Sequence, residues 1–301
     1  FYWYDLHVKN LFAYGYDAKI NSLGHGIVVW EDDRLSPTTD IYSRSLIHYN
    51  TTSKEPNIVT PLVSTFATTL ASPSGTAVDN FGNIYVAESI SAGKIKKITP
   101  SGSVSDFATG INFPQEIKFD SNGNLYVCSR SPGNKIVKIN PAGTKSDFIT
   151  ALTDPVALAI DTSNNIYVNQ LGINDIKKIT QALAVSTFAT LGGQANSLAF
   201  DSLGNLYATE SVSNSIKKIT SGGSVSTFAT GFTSLRGLAF DSSGNLFASE
   251  RSAGRIRKIN PDGSINAFVS SGLSQANYPT IDRNGTLFIS EFLTKLIEKC
   301  E

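Results

Sequence analysis

Four like segments of the chain end in glutamate: Y-V-A-E at Glu88, A-T-E at Glu210, A-S-E at Glu250 and I-S-E at Glu291. Two further copies put Ser129 and Gln170 at the same place. A second series stands five residues before a recurrent aspartate and reads Ser74, Gln115, Val156, Asn196, Arg236 and Asn277. Carboxylate and amide oxygens are the ligands a hard cation prefers, and a lone arginine among carboxylates can clamp an anionic group bidentately. The candidate ligand-binding residues are therefore Gln115, Asn196, Arg236 and Asn277 with Glu88, Glu210, Glu250 and Glu291. The competing reading is that each recurring glutamate bonds backbone nearby and serves the architecture.

Glu116 and Lys118 join this set for a different reason. They lie two apart, so on a strand they share a side, and they occupy positions that in the other copies hold mostly Gly, Ala, Ser or Thr. A charged pair there faces a channel or ligand, or forms a mutual salt bridge in the channel wall. No residue is assigned a catalytic role. His7, His25 and His48 all fall in the first fifty residues, outside the copies, and read as ordinary surface or turn histidines. There is no G-x-S-x-G, phosphate-binding loop or zinc spacing. Cys128 and Cys300 stand too far apart in the pattern to bond each other and read as small buried hydrophobes.

The elements that must position these residues come from a repeat. Phe66, Phe107, Phe148, Phe188, Phe228 and Phe268 recur at spacings of 41, 41, 40, 40 and 40 residues, a period that marks a repeat architecture. Each copy opens with a short strand such as V-S-T-F-A-T, runs through an apolar segment ending in Asp, and makes a D-x-x-G-N turn. Two more strands follow. Four strands per repeat predict one propeller blade. Asp79, Asp120, Asp161, Asp201, Asp241 and Asp282 are turn residues that accept from amides two residues on, and the turn glycines supply positive φ. Asn164 replaces the glycine in the third copy. The third strands, such as I-V-K-I and I-R-K-I, alternate apolar and basic, with lysines on a solvated outer face that discourages edge pairing.

Over residues 63 to 301 these motifs resemble the NHL repeat family. The glutamate at the end of the second strand is similar instead to virginiamycin B lyase and gluconolactonase-like propellers. Residues 26 to 59, with G-I-V-V-W-E-D-D-R, D-I-Y-S-R-S-L and N-I-V-T, resemble a TolB-like repeat, with Glu31 or Asp32 offered to the strand-end ring. The expected fold is an all-β propeller of four-stranded blades in a single domain. Residues 16–62 would make a divergent blade and 63–301 six NHL-like repeats, giving seven blades, with six as the alternative count. The last copy stops after its third strand at Cys300. L-F-A-Y-G at residues 11–15 echoes D-F-A-T-G, so residues 1–15 are expected to close the ring as the missing outer strand.

Composition narrows the partners. Lys plus Arg and Asp plus Glu are both 25, so no net charge attracts a nucleic acid or an anionic membrane, and no run of apolar residues is long enough to span one. The first residue is Phe1 and the chain has no Met, which fits a removed signal peptide or a fragment. With sequons at Asn50 and Asn284, this suggests a secreted or cell-surface protein. The resulting expectation is a non-enzymatic binding or assembly module, extracellular, whose propeller face recognises a protein or small polar ligand. The alternative is a metal-dependent lactonase- or lyase-type propeller enzyme with calcium or magnesium held at the tunnel mouth. No cofactor is evident from the residues alone.

Overall fold

The computed structural model describes residues 3–6, 17–21, 25–32, 40–49, 56–57 and 63–300. The chain divides into two compact units, residues 1–62 and 63–301. In the first, the strands Trp3–Leu6, Asp17–Asn21, His25–Asp32, Asp40–Tyr49 and Pro56–Asn57 form one antiparallel sheet in chain order. Its register pairs His25 with His48. Of residues 1–15, expected above to close the ring, Trp3–Leu6 pairs instead with Asp17–Asn21 in this sheet, and residues 7–15 lie outside the described residues.

The second unit is a six-bladed β-propeller, so the expected count of seven is corrected. Its first blade runs outward through Pro73–Val78, Ile84–Glu88, Gly93–Ile98 and Val104–Ile111. The other five follow the same plan, and their inner strands begin at Pro114, Pro155, Ala195, Leu235 and Ala276. The last blade consists of Ala276–Ile281, Leu287–Glu291 and Leu296–Cys300, completed by Val63–Ala67. Register places Cys300 opposite Val63 and Ile297 opposite Ala67.

The error in the count is one of phase. The V-S-T-F-A segment that opens each copy is the outer strand of the blade before it. The first copy's segment is therefore the strand that the last copy lacks, and the six inner strands meet in a closed ring without a further segment. Side chains repeat the same joint at every blade. Phe107 meets Tyr85, Phe148 meets Tyr126, Phe188 meets Tyr167, Phe228 meets Tyr207 and Phe268 meets Phe247, edge to face at 4.8–5.1 Å. At the closure Phe66 meets Phe288 at 4.9 Å in the same manner. Such pairs contribute beyond their buried area.

The core lies between blades. Ile84, Ile95, Ile117, Leu125, Ile136, Leu158 and Ile166 are fully buried, and each apolar cluster draws on the second strand of one blade and the inner strand of the next. The basic third strands are not simply solvated. Lys97, Lys138, Lys178 and Lys218 lie over the rings of Tyr85, Tyr126, Tyr167 and Tyr207 at 5.3–5.6 Å, so their stems cover apolar surface while the ammonium groups use the ring quadrupole.

The recurrent aspartates hold the turns as expected. Asp79 Oδ1 accepts from the amides of Phe81 and Asn83 at 2.8 and 2.9 Å, and its Oδ2 accepts from Asn83 Nδ2 at 2.8 Å. The set recurs at Asp120 and Asp241. Asn164 takes φ 62° where Gly82 takes 79°, a conformation asparagine tolerates. No helix among the described residues is long and apolar enough to cross a membrane.

Candidate functional site at the inner-strand mouth

Each inner strand departs from its ladder at its first residues. In all six blades the register with the second strand shifts across the first three or four positions, for example between Pro114 and Ile117, Leu235 and Leu238, and Ala276 and Pro279. Such bulges re-aim side chains. The amides they free are taken by hydroxyls one residue before the strand-end glutamate. Ser249 Oγ accepts from Gly237 N at 2.9 Å, Ser290 Oγ from Tyr278 N at 3.2 Å, and Thr209 Oγ1 from Asn196 N and Ser197 N at 3.1 and 3.0 Å.

Side chains from opposite blades then meet across the channel. Arg236 on the fifth blade donates through Nη2 to Gln115 Oε1 on the second at 3.1 Å, and Ser74 Oγ donates to the same oxygen at 3.3 Å. Tyr278, only 1% exposed, donates its hydroxyl to the carbonyl of Asn196 at 3.1 Å. The Arg236 guanidinium lies 5.1 Å over the Tyr278 ring. The mouth therefore has a floor: an aromatic ring laid across the channel with a cation on it. Burial first, then the charge of Glu116, pushes the Tyr278 phenol up to about 12 against the pull of Arg236, so it stays a neutral donor near neutral pH.

Deeper in the channel, Glu116 is 0% exposed. Its Oε2 accepts from Leu158 N at 2.8 Å, its Oε1 accepts from Ser197 Oγ at 2.6 Å, and Lys118 Nζ stands 3.2 Å away. Ser197 Oγ in turn accepts from Leu238 N at 3.2 Å. One carboxylate thus ties together the second, third and fourth blades and, through Ser197, the fifth. Burial raises its carboxyl above the ordinary glutamate range, with Lys118 as the principal opposing influence. Of the two readings of this pair, the geometry is that of a mutual salt bridge. Lys118 reaches the far end of the channel, where a cavity of about 330 Å³ is walled by Val78, Phe119, Ile160, Phe200 and Phe240.

The strand-end glutamates are placed differently from the amides and Arg236. Glu88, Glu210, Glu250 and Glu291 are buried, and each accepts from the amide of a residue in the loop leading into its own blade: Ala71, Gly192, Thr233 and Ser274. Gln170 does the same for Thr153. The remaining oxygen is also engaged in three cases. That of Glu210 meets Ser213 and Lys217, that of Glu250 meets Arg255 and Arg257, and that of Glu291 meets Thr294. At Glu250, burial pushes the carboxyl up but the two arginines and the Thr233 amide outweigh it, leaving it below the usual value. These glutamates hold loops, and among the described residues no hydrogen bond or ion pair joins them to Gln115, Asn196, Arg236 or Asn277. Among the described residues no group of three or more His, Cys, Asp or Glu side chains is placed to hold a metal.

Two residues of the mouth escaped sequence reasoning. Arg251 follows Glu250 directly, where other copies have Ser89, Arg130, Leu171, Ser211 or Phe292. Tyr278 stands where others have Gly75, Ala157, Ser197 or Gly237. At Tyr278 the departure from the repeat's residue type was the available signal, whereas Arg251 shares its residue type with Arg130 and only its surroundings set it apart. Polar capacity is left over here: Arg236 Nε, Arg251 Nε and Asn277 Oδ1 are buried with no hydrogen-bond partner among the described residues.

A profile of the virginiamycin B lyase family matches residues 66–298. Among solved structures, virginiamycin B lyase from Staphylococcus aureus is 16% identical with a TM-score of 0.60, over 99% of this chain and 98% of that one. A gluconolactonase from Xanthomonas campestris is 16% identical with a TM-score of 0.69, over 79% and 88%. An auxiliary nutrient binding protein from Bacteroides thetaiotaomicron is 10% identical with a TM-score of 0.69, over 92% and 83%. At these identities the structures share the fold. No curated protein matches the chain. The family match overturns the expectation that the chain is not an enzyme.

Proposed function

Because the chain belongs to the virginiamycin B lyase family, we propose that it is a propeller enzyme of lyase or lactonase type, acting on a small polar substrate at the inner-strand mouth. One observation carries the reading. Three of the four buried polar atoms without a partner among the described residues are at this mouth: Arg236 Nε, Arg251 Nε and Asn277 Oδ1. Buried polar groups are normally paired, and spare donors and an acceptor gathered at one end of the channel are what a bound polar substrate would satisfy.

The chemistry available is electrostatic. Opening an internal ester or eliminating an oxygen leaving group develops negative charge on oxygen, and preorganised guanidinium donors in a site of low polarity stabilise such charge. Gln115 fixes the Arg236 guanidinium from across the channel, so the donor is oriented before substrate arrives. Tyr278 closes the channel beneath it and keeps the substrate on this face. The test is turnover on a panel of lactones and cyclic esters, followed by mass spectrometry so that elimination and hydrolysis are told apart by one water. Turnover that falls in Gln115→Ala and Asn277→Ala without a drop in melting temperature supports the reading. Absence of turnover across the panel by the wild-type protein counts against it.

A further inference from the structure

Positive charge at the mouth is unbalanced. Other cations near the strand ends are paired: Arg255 and Arg257 with Glu250, Lys217 with Glu210, and Arg130 bidentately with Asp154 at 2.7 and 2.8 Å. Arg236 and Arg251 have no carboxylate within salt-bridge reach among the described residues. Each instead donates one bond to a neutral amide oxygen, Arg236 to Gln115 at 3.1 Å and Arg251 to Gln275 at 2.9 Å.

Their surroundings are those of a prepared site. Arg236 lies over Tyr278 at 5.1 Å and Arg251 over Phe292 at 5.0 Å. The ring beneath each guanidinium occupies one face and leaves edge N–H groups to donate. Both Nε atoms are buried and unpartnered. The two cations also oppose each other: burial first, and then the charge of Arg236, holds Arg251 below its ordinary value. Two like charges, partly desolvated and without a counterion, destabilise the empty site, and an anion between them removes that penalty.

We propose that Arg236 and Arg251 together form a carboxylate-binding site, so that the substrate, or the acid that the reaction releases, carries a carboxylate docked at this mouth. This rests on the lyase or lactonase reading only in calling the bound molecule a substrate or product. The guanidinium fork matches a carboxylate bidentately, and no cation is needed to hold it.

The probe is malonate, with its neutral isostere malonamide and inorganic phosphate as comparisons, followed by calorimetry and thermal melting. The wild-type protein is expected to bind malonate and melt higher in its presence, with malonamide doing neither. Arg236→Gln and Arg251→Gln should each weaken malonate binding by about tenfold or more, the loss of a charge-assisted hydrogen bond. Arg236→Lys should recover part of that loss, and Lys145→Gln, on an exposed outer strand, should leave binding unchanged. Circular dichroism of each variant separates lost binding from lost folding. Equal responses to malonate and malonamide, binding of phosphate without malonate, or malonate binding that survives both Arg→Gln changes would overturn the proposal. Turnover distinguishes the two readings. Malonate binding with no activity on any ester leaves the anion site standing and the enzymatic reading fallen, and activity without malonate binding does the reverse.

Discussion

Removing the Glu116 carboxylate should cost stability and not chemistry. Glu116→Ala orphans two buried donors, the Leu158 amide and the Ser197 hydroxyl, which now donate to it at 2.8 and 2.6 Å. It also strips Lys118 of its partner at 3.2 Å. A buried group left unsatisfied costs about 1–3 kcal/mol. Lys118 can turn toward solvent at the far channel mouth, since its side chain is 24% exposed, so its share is small. The sum is about 3–5 kcal/mol, in the range found when one partner of a buried pair is removed. Glu116→Gln keeps an acceptor and should cost about 1–2 kcal/mol.

The sign of the pH dependence adds a check. Burial holds the Glu116 carboxyl above its ordinary value, so the folded state keeps this proton to higher pH than the unfolded chain does. The group's contribution is then fullest below the ordinary glutamate value and declines as pH rises through the raised one. The advantage of wild type over Glu116→Gln should accordingly shrink over that interval. Urea denaturation at a series of pH values measures both. A Glu116→Ala protein as stable as wild type but without turnover would refute the structural assignment and make Glu116 a catalytic group.

Three further outcomes follow from the fold and its charges. Phe66→Ala should destabilise by about 2–3 kcal/mol, a half-buried version of a core aromatic truncation, and to the same degree as Phe148→Ala. A much smaller loss at Phe66 in denaturant melts would mean that Val63–Ala67 is not the closing strand. Glu250→Gln should cost about 1–3 kcal/mol at neutral pH. Because Arg255, Arg257 and the Thr233 amide hold Glu250 below its usual value against burial, this stabilisation is present above the ordinary glutamate value and disappears as pH falls through the lowered one; a cost that persists in acid contradicts the pairing. Cys128 and Cys300 are free and buried. Burial first, then Glu298 and Glu291, pushes the Cys300 thiol up to about 12, so a thiol reagent should label neither residue until denaturant is added, and a peptide map should show no link between them.

The architecture was legible because a repeat must reuse the positions that pack. The phenylalanine period, the D-x-x-G-N turns and the alternating third strands each answer a local requirement of a four-stranded antiparallel blade, and local requirements leave their mark in sequence. The structural role of the turn aspartates followed from the same reasoning. The count of blades did not, because a periodic pattern has no intrinsic starting point. V-S-T-F-A reads equally well as the first strand of one blade or the last of the blade before it, and only the pairing of Val63–Ala67 with Leu296–Cys300 settles the phase.

The site divides along the same line. Arg236, Gln115, Asn196 and Asn277 were found from their place in the repeat, and Glu116 with Lys118 from their breach of it. That Arg236 reaches Gln115 across the ring, that Glu116 bonds Ser197 two blades away, and that the glutamates turn aside to hold their own loops were decided by the closed ring. Residues 81 and 121 positions apart become neighbours there through the blades' common axis. Pairing between such residues depends on where the ring places them and on which partner lies within hydrogen-bond reach, and neither quantity is written in the order of the amino acids along the chain.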